Sequence, residues 1–294
     1  MSAREVNVIE ASYEQSSNIY WTCWVIALRA EAVSIIKLFN MKKVETHSSF
    51  PIYASKERGH ALVISGIGAI RSAAATAYLK AHLDIKSYAA WINLGIAGYY
   101  KEPIGKFFQA VKVYSKERNR TFFPGFRFSK IVACASLLTL NKTEKIYEQP
   151  LLYDMEASGF CEIASKFSCN ELVFVFKIVS DTPESSTEKI TKKTVEELVE
   201  VNLSILKRLL SEIEKLSKIE MSRLTLPEEV FEMENSINFS KTNSHKFRQL
   251  YKRWKFIHPE KSLKELNLSA KKAKEIINIL EKDISSNMNS RNFL

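Results

Sequence analysis

Four carboxylates stand where an acid could move a proton. Glu31 lies in ALRAEA just after an apolar run, Asp154 and Glu156 share YDMEASGF, and Asp181 directly follows VFVFKIVS. A carboxyl group at the end of a buried strand is partly desolvated, which favours its neutral form, raises its pKa and suits it to proton transfer. A plainer role fits the same residues. Asp154 and Asp181 each stand where a helix could open, and an aspartate there caps free backbone N–H groups.

Three turns expected beyond strands accompany these acids: ISGIG over 64–68, NLGIAG over 93–98 and the glycine-free SDTPE over 180–184. Ligands of open α/β sheets collect beyond the carboxyl ends of the strands, so the three turns could share one pocket. Either glycine turn alone reads first as a tight turn with a helix packed closely on a sheet.

Elements able to position these residues alternate along the first two thirds of the chain. Short β-rich runs are expected at Trp21 to Ala27, Ala61 to Ser65, Ala89 to Leu94, Phe107 to Val113 and Leu172 to Val179. Several are continuously apolar, as strands covered on both faces must be. Helices are expected after Arg29, over Ile70 to Leu83 and Glu156 to Phe167, and from Thr187 to about Lys218. Around Pro227 the strands stop and the sequence turns polar, basic and helical. Phe247, Leu250, Tyr251, Trp254 and Ile257 recur there at three- and four-residue spacing, which predicts an amphipathic helix ended by Pro259.

ALRAEA, VISGIGAIRSAAATAYL, WINLGIAG, LYDMEASGF and FKIVSDTP occur in the order and at roughly the spacing of one family. Over about Trp21 to Leu216 the chain resembles the purine nucleoside phosphorylase / methylthioadenosine–S-adenosylhomocysteine nucleosidase superfamily. The most specific part is DMEA, followed some twenty residues later by a strand ending in Ser-Asp. The resemblance implies an α/β, three-layer phosphorylase/hydrolase-like fold, a central mixed sheet flanked by helices, with a helical C-terminal extension. Together with the change in composition near Pro227, it divides the chain into a polar N-terminal segment over 1–19, a catalytic domain over 20–220 and a basic extension over 221–294.

The resemblance further implies cleavage of the N-glycosidic bond of a purine nucleoside, by hydrolysis or, alternatively, by phosphate as in a phosphorylase; a non-catalytic nucleoside-binding protein whose basic tail contacts nucleic acid or a partner is the other alternative. Asp181 would protonate or hydrogen-bond N7 of the departing base and Ser180 would orient it. Glu156 would accept hydrogen bonds from the ribose 2′- and 3′-hydroxyls, Met155 would pack on the ribose face, and Ala97 and Gly98 would line the pocket. Glu31 would hold and deprotonate the attacking water. No metal or organic cofactor is implied. The expected partners are a small nucleoside and further copies of the chain in a homo-oligomer.

Water is favoured over phosphate as nucleophile. Phosphorylases resembling this chain place an arginine in the third loop, where NLGIAG runs on to Tyr99 and Tyr100. Candidates for meeting a phosphate or other anion are Arg29, Gly66, Gly68 and Arg71; both arginines also read as solvated helix-surface residues. Two departures from the family stand out. Ile96 replaces a serine, removing a hydrogen bond to water or sugar. RTFFPGFRF replaces an Asp/Thr-rich segment, and its Phe122 and Phe123 would either cover the base or 5′ group, within one subunit or across an interface, or pack in core or interface.

Composition narrows the setting. The 294 residues are 46% hydrophobic, which excludes wholesale disorder. Cys23, Cys134, Cys161 and Cys169 lack zinc or CxxC spacing and read as buried, reduced thiols, and the five histidines as surface or tail residues. The first apolar run is about half the length of a membrane span. A cytoplasmic protein without signal or anchor is expected. The net charge of +10 is concentrated between Lys241 and Lys274, where eleven Lys/Arg face two Glu. Lys246, Arg248, Lys252, Arg253 and Lys255 interleave there with Phe247, Tyr251, Trp254 and Phe256. Two readings stand: an aromatic stripe docked on the catalytic domain, or a surface for nucleic acid or an acidic protein.

Overall fold

The computed structural model describes residues 21–44, 49–101, 103–142, 147, 149–185, 190–266, 268 and 272–290. The polar segment 1–19, His47 and the expected helix start at Thr187 lie outside them. The chain divides between Met221 and Ser222 into two compact units.

The first unit is built on one large mixed sheet. Its centre is β1 (Thr22–Ile26), paired in parallel with β4 (His60–Ile64) on one side and β5 (Ala90–Tyr99) on the other. Beyond β4 the sheet ends in the antiparallel strands β3 (Ile52–Ser55) and β2 (Lys42–Lys43). On the other side β5 pairs in parallel with β10 (Val173–Asp181), which runs antiparallel to β6 (Phe107–Ser115). β6 then pairs with β8 (Ala133–Thr139), β8 with β9 (Leu152–Asp154), and β9 returns to the far end of β5. These five strands therefore close a ring, which leaves none of them as a free edge. β7 (Arg120–Phe122) folds back on β6.

The apolar runs are explained by what covers the sheet. Successive residues point to opposite faces of a strand. Cys23, Val25, Val173 and Val175 accordingly enter one buried cluster, and Trp24, Ile26, Phe174 and Phe176 the other. The first cluster is closed by α2 (Ala69–His82) and α3 (Ala157–Ala164) through Ala75, Leu79, Phe160 and Cys161. The second is closed by α1 (Arg29–Leu38), α4 (Lys192–Val201) and α5 (Leu203–Leu224), through Ile35, Val199, Leu206, Leu209 and Ile213. This is the expected three-layer architecture.

Local expectations differ in instructive places. NLGIAG is not a turn but the interior of the ten-residue strand β5, because it pairs with β10 on one side and with β1 or β9 on the other. The single long helix expected to Lys218 is interrupted at Asn202, whose side-chain amide donates to the carbonyls of Leu198 (2.9 Å) and Gly105 (3.0 Å). Strands β2, β3, β7, β8 and β9 are short or partly exposed and carried no apolar signature. Cys134 is exposed, unlike the buried Cys23 and Cys161. His60 is not a surface residue: it accepts from the Trp24 indole N–H at 3.1 Å and stacks on Phe39 with ring centroids 3.6 Å apart. Burial pushes its pKa down to about 3, so it stays neutral.

The second unit packs α6 (Glu228–Ser236), α7 (Lys241–Ile257) and α8 (Ala273–Ser290) around its own core. Phe247, Leu250, Tyr251 and Trp254 of α7 are buried there beside Val230, Ile276, Ile277, Leu280 and Ile284. The aromatic stripe is thus consumed inside this unit: Phe247, Tyr251 and Trp254 fill its own core and are not free to stack on bases. Of the rings interleaved with the cations, Phe256 alone is open, at 87% exposure. The charge is also less one-sided than the 241–274 window suggested, since α6 contributes Glu228, Glu229, Glu232 and Glu234. Arg248 pairs with Glu234 at 2.7 Å and Lys246 with Glu281 at 2.9 Å. Among the described residues no helix is long and apolar enough to cross a membrane.

Candidate active site

A cavity of about 190 Å³ opens where the carboxyl ends of β1, β5 and β10 meet. Its walls include Glu31, Ile96, Ala97, Gly98, Tyr147, Tyr153, Asp154, Met155, Glu156, Ser180 and Asp181, with Ile67, Leu140, Lys142 and Ile190 also contributing. Glu31, Glu156 and Asp181, far apart in the chain, therefore share one space. So do Met155, Ser180, Ala97 and Gly98.

Each acid is fixed by a specific local device. Glu31 stands in the first turn of α1, where its Oε2 accepts the N–H of Leu28 at 2.8 Å. Its Oε1 accepts the N–H of Ile96 across the sheet at 2.9 Å. Burial raises its pKa, and these N–H groups with the nearby Lys177 ammonium only partly oppose that. Glu156 opens α3 and accepts the N–H of Gly68 at 2.8 Å. Burial first, and then the Asp154 carboxylate, push its pKa up to about 7. Asp154 fills the capping role: Oδ2 accepts the N–H of Ala157 and Oδ1 the Thr139 hydroxyl, both at 2.8 Å.

Asp181 depends on an irregularity in β10. Strict alternation would send Ser180 and Asp181 to opposite faces. The pairing with β5 slips by one residue between Val179 and Asp181, a bulge after which both side chains line the cavity. Ser180 Oγ donates to Asp181 Oδ1 at 2.5 Å, and the Tyr147 hydroxyl donates to Oδ2.

Lys177 is the group that sequence reasoning missed. It is 1% exposed, and its Nζ lies 2.8 Å from Asp154 Oδ2. Burial alone would lower its pKa, but Asp154, Glu156 and Glu31 outweigh it and the net shift is upward. One ammonium thus balances part of the charge of three carboxyl groups. The signal was present: one lysine interrupts an otherwise continuous apolar strand, and a buried lysine must find partners. β5 makes room for the assembly. A Cβ on Gly95 would come within 2.9 Å of Glu31 Oε1, and one on Gly98 would overlap the Tyr147 phenol.

Other expected site residues are not brought into this cavity. Phe122 packs against the sheet core with Arg120 over its ring, and Phe123 is 63% exposed; neither lines the cavity. Arg29 is exposed and donates to the Tyr53 hydroxyl. Arg71, also exposed, lies over Gly66, and the N–H of Gly68 is engaged by Glu156. No arginine lines the cavity among the described residues. No group of three His, Cys, Asp or Glu is placed to hold a metal ion, again among the described residues.

No protein-family model matches the sequence, and no curated protein matches it significantly. Solved structures do match the fold. The Arabidopsis thaliana 5′-methylthioadenosine nucleosidase in apo form superimposes with a TM-score of 0.54 at 17% identity, covering 67% of this chain and 96% of that one. The chain has the nucleosidase fold. The Campylobacter jejuni 5′-methylthioadenosine/S-adenosyl homocysteine nucleosidase gives 0.52 at 13% identity, covering 65% of this chain and 98% of that one. Futalosine hydrolase of Helicobacter pylori gives 0.52 at 12% identity over 64% and 98%. The nucleosidase fold accounts for about two thirds of the chain, and about a third has no counterpart in these structures.

Proposed function

We propose that the protein hydrolyses the N-glycosidic bond of purine nucleosides, of the adenosine type with a 5′ substituent. The observation that carries this reading is the convergence of Glu31, Glu156 and Asp181 on one small cavity. In the proposed step the C1′–N9 bond breaks with its electron pair passing to the base, while Asp181 supplies a proton at N7. Glu156, as a carboxylate, accepts hydrogen bonds from the 2′- and 3′-hydroxyls and favours the positive charge growing on the sugar. A water molecule attacks C1′ and gives a proton to Glu31, whose raised pKa suits it to receive one. The products are free base and the 5-substituted ribose.

The lining favours water over phosphate. A phosphate dianion in a closed site calls for arginine or a cluster of backbone N–H groups. Among the described residues the cations here are Lys142 in the wall and Lys177, which is paired with Asp154. The apolar side chains of Ile67, Leu140, Met155 and Ile190 suit an uncharged 5′ substituent such as a thioether.

The test is incubation with adenosine, inosine and methylthioadenosine, with and without phosphate, read by liquid chromatography for free base. Phosphate-independent release of adenine is expected. Release that strictly requires phosphate overturns the choice of nucleophile, and no release from any nucleoside at high protein concentration overturns the activity.

A further inference from the structure

Tyr147 stands inside the candidate site and the proposed reaction does not use it. It is 5% exposed. Its hydroxyl donates to Asp181 Oδ2, and its ring lies 4.8 Å from that of Tyr153, tilted by 33°. It also rests on Gly98 so closely that no side chain could replace that glycine's hydrogen without displacing it. A polar contact to Asp181, an aromatic face on Tyr153 and close approach to the β5 backbone are the three contacts that a flat heterocycle assisted by Asp181 would need.

We propose that Tyr147 is an internal occupant of the base subsite and so determines which ligands enter it. The inference rests on the nucleosidase reading of the cavity and adds to it a specificity residue that a base must displace. Ser180 and Tyr147 donate to the two oxygens of Asp181, an arrangement that engages the carboxylate purely as an acceptor. A ligand taking the place of Tyr147 must restore the lost donor, or accept a hydrogen bond from Asp181 once the carboxylate has taken up a proton from solvent. The fitting class is therefore a nitrogen heterocycle that turns a ring N–H towards Asp181, or a ring nitrogen to which Asp181 gives a proton, with a π face for Tyr153. The size of the cavity agrees: about 190 Å³ is smaller than the roughly 300–1,000 Å³ of typical small-molecule pockets. The cost of displacement falls on the base half of a nucleoside. The ribose half is assigned to Glu156 and Met155 on the same reading of the cavity.

The experiment is calorimetric titration of the full chain and of its Tyr147→Phe and Tyr147→Ala variants with two uncleavable probes. One is 9-deazaadenosine, whose glycosidic bond is carbon to carbon and whose five-membered ring carries an N–H. The other is 1,4-dideoxy-1,4-imino-D-ribitol, which has the sugar half alone. Loss of a hydrogen bond to a carboxylate predicts that both variants bind 9-deazaadenosine about tenfold more tightly than the unmodified protein. The iminoribitol is expected to bind all three proteins within about twofold, because its site lacks the exchanged contact. Tyr147→Phe keeps the ring volume, so it decides the question if the alanine variant does not fold. Equal or weaker binding of 9-deazaadenosine by the phenylalanine variant, with iminoribitol binding intact, overturns the inference alone: Tyr147 is then a wall of the site. No binding of either probe to any of the three proteins overturns the nucleosidase reading along with it.

Discussion

Glutamates in the two units meet opposite fates. In the first unit Glu31 and Glu156 are buried near a third carboxylate, Asp154, and a single ammonium, and both are driven towards the neutral form. Glu229 in the second unit is also penalised by burial. There the Ser262 and Tyr251 hydroxyls and the Leu263 N–H all donate to it, and its pKa falls. Glu234 falls too, chiefly through its two-pronged pair with Arg248. Donors that outweigh burial lower an acid's pKa and tie it into the fold, whereas burial that outweighs the donors raises it and suits the acid to exchange protons. The contrast fits the chemistry proposed for the first unit, and it ties the acids of the second into that unit's own packing.

Substitutions and pH can sharpen or break that contrast. The largest effect is expected from Asp181→Asn: base release, expressed as kcat/KM, should fall by roughly 10²–10⁴-fold, with the circular dichroism spectrum unchanged. Retention of full activity would remove Asp181 from the chemistry. Next is Lys177→Met, which leaves the neighbouring carboxylates without their counter-charge. Breaking a buried pair in this way costs about 3–5 kcal/mol, to be read in urea denaturation at pH 7. Stability equal to that of the parent protein would mean the ammonium is not needed to hold the carboxylates.

A smaller and more diagnostic effect concerns the direction of pH dependence. The folded pKa of Glu156, about 7, lies above its ordinary value near 4.5. The folded state therefore holds a proton that the unfolded chain releases, and stability declines as pH rises between those two values. Glu156→Gln should flatten the melting temperature across that range and exceed the parent at pH 8. Glu229 has the opposite sign: its contribution is present above its ordinary pKa and disappears as pH falls through its lowered folded value. Glu229→Gln should cost about 1–2 kcal/mol at pH 7 and converge on the parent in acid. If the two variants shifted the melting curve with the same sign of pH dependence, the contrast between the units would not stand.

Much of this was legible in the chain itself, for identifiable reasons. The strands of the core announce themselves because burial on both faces demands unbroken apolar runs, as in VFVF before Lys177. The acids at 31, 156 and 181 stand out because carboxylates beside such runs are expensive unless they have work or partners. Strands β7 and β8 are partly exposed and β9 has only three residues, so they carry no such apolar run and their pairing had to come from the folded sheet. The aromatic stripe of α7 showed its period of three to four, but periodicity cannot say which surface receives it.

Sequence alone determined which residues are apolar, roughly where most strands and helices of the core lie, and which carboxyl groups stand beside them. Those are properties of neighbours along the chain. Only the tertiary structure decided that Lys177 lies among three acids, that a bulge turns Asp181 into the cavity, and that Tyr147 rests on it. Each depends on groups tens of residues apart arriving within hydrogen-bonding distance, and that distance is set by strand pairing and packing rather than by spacing along the chain.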